Sequence, residues 1–255
     1  MNKYLIFLMS ALVFVTTSCR NHGKELKGRD DAKTITVSVK LNPGYFSRIM
    51  MDTPYEVIFS QKDSVSVRIE GLKENLSKVK ISCSDGILTI RNKSFGNNMF
   101  SNDGSSVSIY ISSPDLTDII LRGAGDFNVV SDIDTDTLNI CLQGAGDIGF
   151  GNIVCDVLRA ELNGSGDIGA ERVKCVSAVL RLMGAGEMDF GLQNVDYTDV
   201  KLIGTGDIDI DFDHCRFAKC SLWGIGDMTL SGTLSRLDKE KRGTGRISDN
   251  GLNME

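Results

Sequence analysis

The sequence predicts an all-β parallel β-helix, a solenoid in which successive rungs of the chain stack on one another. A Gly-X-Gly-acid motif recurs, with its first glycines 21, 20, 20, 20, 20 and 19 residues apart. A leucine stands two residues before the first glycine in every copy but the last. Apolar and polar residues alternate on both sides of the motif, as in strands. The copies begin at Gly123, Gly144, Gly164, Gly184, Gly204 and Gly224, and the last, Gly243 to Arg246, ends in arginine.

A repeat of this length has to stack. Twenty residues with a few aliphatic side chains bury too little apolar surface to offset the backbone entropy lost on ordering. Stacking at about 4.8 Å lets each repeat pair its backbone with the repeats on either side. We therefore expect six or seven rungs, with about 20 residues in each. The glycines are expected at corners where the backbone adopts positive φ.

Residues 1–19 are predicted to be a lipoprotein signal peptide. Lys3 provides the positive charge, and Leu5 to Val15 form an apolar segment too short to span a bilayer. Thr16 to Cys19 resembles the small-residue box that precedes the lipid-modified cysteine of bacterial lipoproteins, although Thr16 replaces the usual leucine. Cys19 is therefore the predicted lipidation site and membrane anchor. An ordinary secretory signal, cleaved near Ser18, is the alternative.

The remainder divides into a tether and one domain. Residues 20–33 are polar and form the predicted tether, and residues 34–255 form a single β-helix domain because no linker interrupts them. Within that domain, residues 34–122 are the less regular N-terminal β portion, 123–247 the regular repeats and 248–255 a C-terminal tail. The charged run Asp238 to Arg242 is expected to be a solvated cap that prevents end-to-end pairing.

Composition excludes one broad class of partner. The chain has 255 residues and a formal net charge of −6, and it has no basic patch interleaved with aromatic residues. Nucleic acid is therefore not an expected partner. The 27 glycines and 3 prolines suit a turn-rich β-protein.

Both halves of the chain resemble one family. The chain resembles the putative auto-transporter adhesins with the head GIN domain, a family of unknown function that is common in Bacteroidetes. The resemblance covers roughly Phe46 to Ile247 and implies a right-handed β-helix in the cell envelope, with no catalytic residues to carry over. The segments that carry it are Tyr55 to Phe59, Val65 to Gly71, Asp85 to Ile90, Val107 to Pro114 and the Gly-Ala-Gly-Asp copies.

The acids of the motif should form a column along one edge. At about 4.8 Å spacing, neighbouring carboxylates repel by about 1 kcal/mol in water. We expect each acid to accept hydrogen bonds from the backbone amides of its own turn, which offsets the repulsion. A calcium ladder is the alternative, although calcium-binding β-rolls repeat every nine residues, and no metal or other cofactor is predicted. The column comprises Asp126, Asp147, Asp167, Glu187, Asp207 and Asp227.

A second column contains cysteines. Cys155, Cys175 and Cys215 lie nine residues before their glycines, and Val195 takes the same place in the intervening repeat. The exchange with valine indicates small apolar interior sites and hence free buried thiols. A disulfide between Cys155 and Cys175 is the alternative, since adjacent rungs bring their Cα atoms within range.

Two further groups of residues bear on function. The charged residues beside the turns, namely Arg122, Glu161, Arg181 and Lys201, are interpreted as solvated strand positions, and no catalytic residues are predicted. The acids share one column and so lack the two environments that separate a general acid from a general base. Trp223 ends a column that grows more apolar through Met183 and Ile203. Trp223 is the candidate ligand-binding residue, for carbohydrate stacking or subunit contact, with packing in the core as the alternative.

These observations favour a non-catalytic binding or adhesion module. The predicted protein is anchored by lipid to a membrane of the bacterial envelope, with the outer membrane favoured, and faces the periplasm or the cell surface. Its expected ligand is an envelope glycan or protein. A structural scaffold or homo-oligomer is the second hypothesis, and an enzyme acting on polysaccharides is the third.

Overall fold

The computed structural model describes residues 12–14, 36–92 and 107–255, which form nineteen strands and one short helix. The predicted lipidation site Cys19 and the tether, residues 20–33, lie outside the described residues. Helix α1, Lys73–Leu76, lies between β5 and β6, and no helix of the described chain has the length and hydrophobicity needed to cross a bilayer. The strands are β1 Leu12–Phe14, β2 Thr36–Leu41, β3 Arg48–Asp52, β4 Glu56–Gln61, β5 Ser66–Leu72, β6 Val79–Ser84, β7 Ile87–Asn92, β8 Ser108–Ser113, β9 Asp118–Gly123, β10 Phe127–Val129, β11 Ile133–Gly144, β12 Ile148–Gly164, β13 Asp167–Lys174, β14 Ser177–Gly184, β15 Glu187–Gln193, β16 Tyr197–Gly204, β17 Asp207–Gly224, β18 Asp227–Gly243 and β19 Arg246–Met254.

Each repeat forms one rung of a solenoid. In a rung, an approach strand runs up to the Gly-X-Gly corner and an exit strand leaves from the acid. β14 and β16 are approach strands, and β13 and β15 are exit strands. In β12, β17 and β18 the exit strand continues into the next approach strand. All pairings between the repeats are parallel, so the predicted all-β solenoid, with about seven turns of about twenty residues, is confirmed.

The core consists of columns of equivalent side chains. Leu142 pairs with Leu162 and Leu162 with Leu182, and all three are fully buried. The burial pattern alternates along β14 and β16, as expected for strands with one face in the core. The leucines of the motif therefore share one interior column, as the repeat predicts.

The corner glycines are required chiefly by the close stacking of backbone on backbone. A Cβ at Gly146 would lie 1.9 Å from the carbonyl oxygen of Gly125, one rung earlier. At Gly224, where φ is +154°, the same addition would bring a Cβ to 2.1 Å from the oxygen of Gly204. The amide of Ile225 also donates to the carbonyl of Gly204 at 2.9 Å. Positive φ, the expected reason for these glycines, occurs at only part of the column, and contact between rungs accounts for the rest.

Differences in repeat length are absorbed on the exit strands. Between β17 and β18 the register shifts from Phe212 opposite Gly232 to Cys215 opposite Leu234, which removes one residue. The approach strands stay in register, and Gly224 pairs with Gly243. The corners therefore stay superposed although the repeat length varies.

The N-terminal portion begins the same solenoid in a different strand order. β3 pairs in parallel with both β7 and β9, and β4 pairs in parallel with both β8 and β10. The corner between β3 and β4 contains Thr53 and Tyr55 where later rungs have glycine. The antiparallel pairs β2–β5, β5–β8 and β6–β7 close this end, and Asp85 and Gly86, both at positive φ, form the hairpin turn between β6 and β7.

The C-terminal end differs from the prediction in one respect. Residues 248–255, predicted as a tail, mostly belong to β19, which pairs with β18. The charged run Asp238 to Arg242 is mostly exposed, as expected for a solvated cap, and it continues the last approach strand, residues 236–243, paired with β17. Among the described strands, none pairs with the outer edge of this segment. Lys239, in register with buried Cys220, reaches Asp249 at 2.6 Å.

We predict that Gly146→Ala lowers the free energy of unfolding by about 3 kcal/mol, because the new Cβ would overlap the Gly125 carbonyl. Gly151→Ala is the matched control, since a Cβ there would meet nothing within 4 Å. The control is expected to stay within about 0.5 kcal/mol of the unmodified protein. Urea unfolding followed by circular dichroism measures both. Equal midpoints for the two variants would contradict the stacking argument.

Candidate functional site

The acids of the corners form a ladder of hydrogen bonds between rungs. The amide of Asp147 donates to Asp126 Oδ1 at 3.2 Å, and the amide of Asp167 donates to Asp147 Oδ1 at 3.1 Å. The same bond joins Glu187 to Asp167, Asp227 to Asp207 and Arg246 to Asp227. The predicted donors, the amides of each acid's own turn, are therefore replaced by the amide one rung on. These bonds offset the repulsion between stacked carboxylates.

Glu187 interrupts this ladder. The amide of Asp207 donates to the carbonyl of Gly186 at 3.1 Å and not to the Glu187 side chain. Glutamate has one more methylene than aspartate. Its carboxylate therefore does not take the position from which Asp126 and Asp167 accept a hydrogen bond from the amide of the next rung. The break lies at the fourth acid of the column.

Carboxylates accumulate beside this break. Burial and then the neighbouring carboxylates Asp167 and Asp209 raise the pKa of Glu187. Burial, followed by Asp209 and Asp211, raises the pKa of Asp189. Asp213 behaves in the opposite way, because hydrogen bonds from Gln193 and His214 lower its pKa. Within the described residues, no group of three or more His, Cys, Asp or Glu side chains is arranged to hold a metal ion.

The cysteine column lies in the interior as predicted. Cys155, Cys175 and Cys215 are buried free thiols, and Val195 is fully buried in the intervening rung. The Cys155 and Cys175 thiols hydrogen-bond to one another, which lowers the pKa of Cys155 and raises that of Cys175 well above its usual range. Both sulfur atoms face the core, away from the outer surface of the approach strands.

Trp223 is flanked along the stack by two cations. The ammonium of Lys201, on the preceding rung, lies 3.6 Å from the centroid of the indole ring, and the guanidinium of Arg242, on the following rung, lies 5.1 Å from it. The indole Nε1 is buried and has no hydrogen-bond partner in the described structure. The role of Trp223 in carbohydrate stacking or subunit contact stays a prediction, and the structure adds that cations lie beside its ring on both neighbouring rungs.

A second stack stands at the start of the same strands. The rings of Tyr197 and Phe217 are 5.5 Å apart, and the Arg236 guanidinium lies 5.2 Å from the Phe217 ring. Tyr197 is 42% exposed, so part of its side chain is open to solvent. Both stacks project from the outer surface of β16 and of its two successors.

The other charged residues beside the turns have partners within the sheet. Arg122 donates to Gln143 at 3.2 Å, and Asn163 donates to Glu161 at 2.6 Å. Arg181 forms an ion pair with Asp199. Among the described residues, no carboxylate lies within ion-pair distance of Lys201 or Lys219. The sequence analysis named Trp223, Lys201 and Arg242 separately but did not predict that the two cations contact the indole ring, although their spacing of about one repeat was the available signal.

Comparisons with known proteins agree with this architecture. Residues 45–211 match the profile of the family described as putative auto-transporter adhesin, head GIN domain. The chain is similar to a crystal structure of a putative adhesin from Bacteroides fragilis, at 20% identity and a TM-score of 0.74, over 84% of this chain and 96% of that one. It is also similar to a putative adhesin from Parabacteroides distasonis, at 16% identity and a TM-score of 0.68, over 85% and 97% of the two chains.

A third structure carries a different description. This is a putative lipid binding protein from Parabacteroides distasonis, at 16% identity and a TM-score of 0.60, which covers 84% of this chain and 96% of that one. At these identities the structures establish the fold alone. No curated protein matches the chain.

We predict that Glu187→Asp stabilises the protein by about 1 kcal/mol, because the shorter carboxylate can accept the amide of Asp207 and complete the ladder. Asp167→Glu is the reciprocal variant, and it should destabilise by a similar amount because it removes the bond from the Glu187 amide. Neither substitution changes the net charge. Urea unfolding at neutral pH measures both variants. If the two substitutions changed the free energy of unfolding in the same direction, the hydrogen-bond ladder would be contradicted.

We predict that Asp189→Asn stabilises the protein at pH 7 by less than about 1 kcal/mol and has no effect near pH 3. The pKa of Asp189 is raised in the folded state, so its ionised form costs stability above that pKa and the cost disappears on protonation. Asp213→Asn is the control of opposite sign, because the pKa of Asp213 is lowered. Urea midpoints at the two pH values test this, and a gain for Asp189→Asn that persists at pH 3 would contradict it.

Proposed function

Because the chain belongs to the family described as putative auto-transporter adhesin, head GIN domain, we propose that it is a non-catalytic binding module of the cell envelope. In this proposal, residues 34–255 form a single β-helix domain, and a lipid on Cys19 anchors it to a membrane, with the outer membrane favoured. The module displays one side of the solenoid to a glycan or protein of the envelope.

One observation carries the proposal: side chains divide between holding the stack together and facing solvent. The corner carboxylates are used in bonds to the next rung, and the cysteine and leucine columns are buried. The outer surface of the last approach strands instead carries exposed aromatic and cationic side chains, including Tyr197 and Lys219. Solvent-facing aromatic and cationic side chains of this kind favour binding, because a ligand can contact them without disturbing the stack.

A structural scaffold is the second candidate, favoured by the open outer edge of residues 236–243. An unpaired strand edge is a template for pairing with another chain. Its charges at Lys239 and Lys241, where earlier rungs have Cys220 and Leu222, oppose pairing with an identical rung. The binding module is therefore the better supported of the two, and light scattering over a range of protein concentrations separates them.

The proposal is tested with the full chain and its Cys19→Ser variant, each expressed in a bacterial host that has an outer membrane. We expect the unmodified chain in the membrane fraction and the variant in the soluble fraction, since the lipid-modified Cys19 is the proposed membrane attachment. Both proteins should be retained by immobilised envelope fragments from cells that lack the protein, because binding resides in the solenoid.

Two results would overturn parts of the proposal separately. If the Cys19→Ser variant stays in the membrane fraction, the proposed lipid anchor is ruled out. If envelope fragments retain neither protein, the proposed binding function is ruled out. Bovine serum albumin coupled at the same density is the control for unspecific retention.

A further inference from the structure

The C-terminal half of the solenoid is electrically polarised from one side to the other. The last three approach strands, residues 197–204, 217–224 and 236–243, contain three acids and six basic residues. The corresponding exit segments, residues 187–193, 207–213 and 227–234, contain seven acids and no Lys or Arg. Four of the basic residues, Lys201, Lys219, Arg236 and Arg242, stand in the outward columns. Lys239 and Lys241 stand opposite the buried Cys220 and Leu222, in the inward columns of the last rung, and do not belong to the outer surface.

We propose that the outer surface of these three approach strands, here called the cationic strip, binds an acidic polysaccharide. This inference rests on the proposed binding function and names the chemical class of the ligand. Within a protein of net charge −6, an anionic polymer is attracted to the cationic strip and repelled from the exit side.

The cations of the strip are available to a ligand. Lys219 is exposed, and neither it nor Lys201 has a carboxylate partner among the described residues. Arg236 and Arg242 pair only with Asp238 and Glu240 on their own strand, and both arginine side chains are about 70% exposed. Such exposed pairs contribute little stability, so exchanging them for pairs with a ligand costs little.

The aromatic stacks hold part of this charge in place. The Lys201 ammonium rests 3.6 Å from the Trp223 ring, and Arg236 lies against Phe217. Fixing the cations before binding lowers the entropy lost on contact. Phe217 and Trp223 stand six residues apart on one strand, or about 20 Å at the rise of a β-strand, so the strip suits an extended chain.

The strip also has features that favour a sugar polymer over other anions. Apolar side chains lie among its charges and at its margin, including Tyr197 and Met183, which are 42% and 38% exposed. A uronic-acid polymer offers carboxylates together with the C–H surfaces of its rings, which match this mixture.

The experiment measures binding of the full chain, purified in detergent, to polygalacturonate and to its fully methyl-esterified form by calorimetry. The ester has the same backbone without the charges. We expect the acid form to bind, the ester to bind at least about tenfold more weakly, and the affinity for the acid form to fall as salt is added. Equal affinity for the two polymers, or no binding of polygalacturonate, overturns the inference.

Substitutions then locate the site. Lys201→Gln combined with Lys219→Gln should weaken binding roughly three- to tenfold, since each exposed pair contributes a fraction of a kcal/mol to about 1 kcal/mol. Lys174→Gln is the matched control, because it removes one exposed positive charge from an exit strand, and it should change affinity less than about twofold. If the double variant does not give the circular dichroism and unfolding midpoint of the unmodified protein, Lys219→Gln alone carries the test. An unchanged affinity in the folded variant overturns the inference.

Other partners give distinguishable outcomes. Binding of poly-glutamate or duplex DNA as tight as that of polygalacturonate overturns the assignment to a polysaccharide. Salt-sensitive self-association in light scattering, without polygalacturonate binding, identifies the acidic exit side of a second copy as the partner and also overturns it. If envelope fragments retain the protein but polygalacturonate does not bind, the proposed function stands and this inference falls.

Discussion

The contact of backbone on backbone at the corners is the constraint on which the rest of this structure depends. At Gly146 and Gly226 a Cβ would lie within 2 Å of the glycine carbonyl one rung earlier. No side-chain rearrangement relieves an overlap with backbone, so the corner admits only glycine while the rungs stay at strand spacing. With the corners fixed in this way, each approach strand meets its neighbour in the same register. The leucine columns and the acid ladder both follow from that register.

A stack of identical rungs also places like charges on top of one another, and the protein handles this in two ways. In the acid column, each aspartate accepts the amide of the next acid, so the carboxylate is held by a hydrogen bond that exists only in the stack. On the outer surface of the approach strands, cations alternate with aromatic rings along the axis, as in Lys201, Trp223 and Arg242. The first arrangement stabilises the fold, and the second leaves positive charge facing solvent.

The sequence predicted the features that depend on repetition and missed those that depend on neighbours in space. The period, the inward leucines and the buried cysteine column followed from spacing. The strand order at the N-terminal end did not, because β3 lies between β7 and β9 although it precedes both in the chain. The lysine and arginine beside Trp223 are one repeat away on either side, and only the structure shows that their side chains turn onto the ring.

The difference between corner and inward positions on the one hand and outward positions on the other explains how a solenoid of this kind can change its ligand without losing its fold. Corner and inward positions contact the backbone or core of two neighbouring rungs, so a substitution there acts on the whole stack. Outward positions of the approach strands contact side chains of their own and of neighbouring rungs, away from the core. In the column that ends in Trp223 they pass from Arg122 through Asn163 to Met183 without any change in register. At the end of the stack, no described strand pairs with the outer edge of residues 236–243, so their outward positions are constrained from one side only. Selection for binding can therefore act on the outward columns while the corners preserve the architecture.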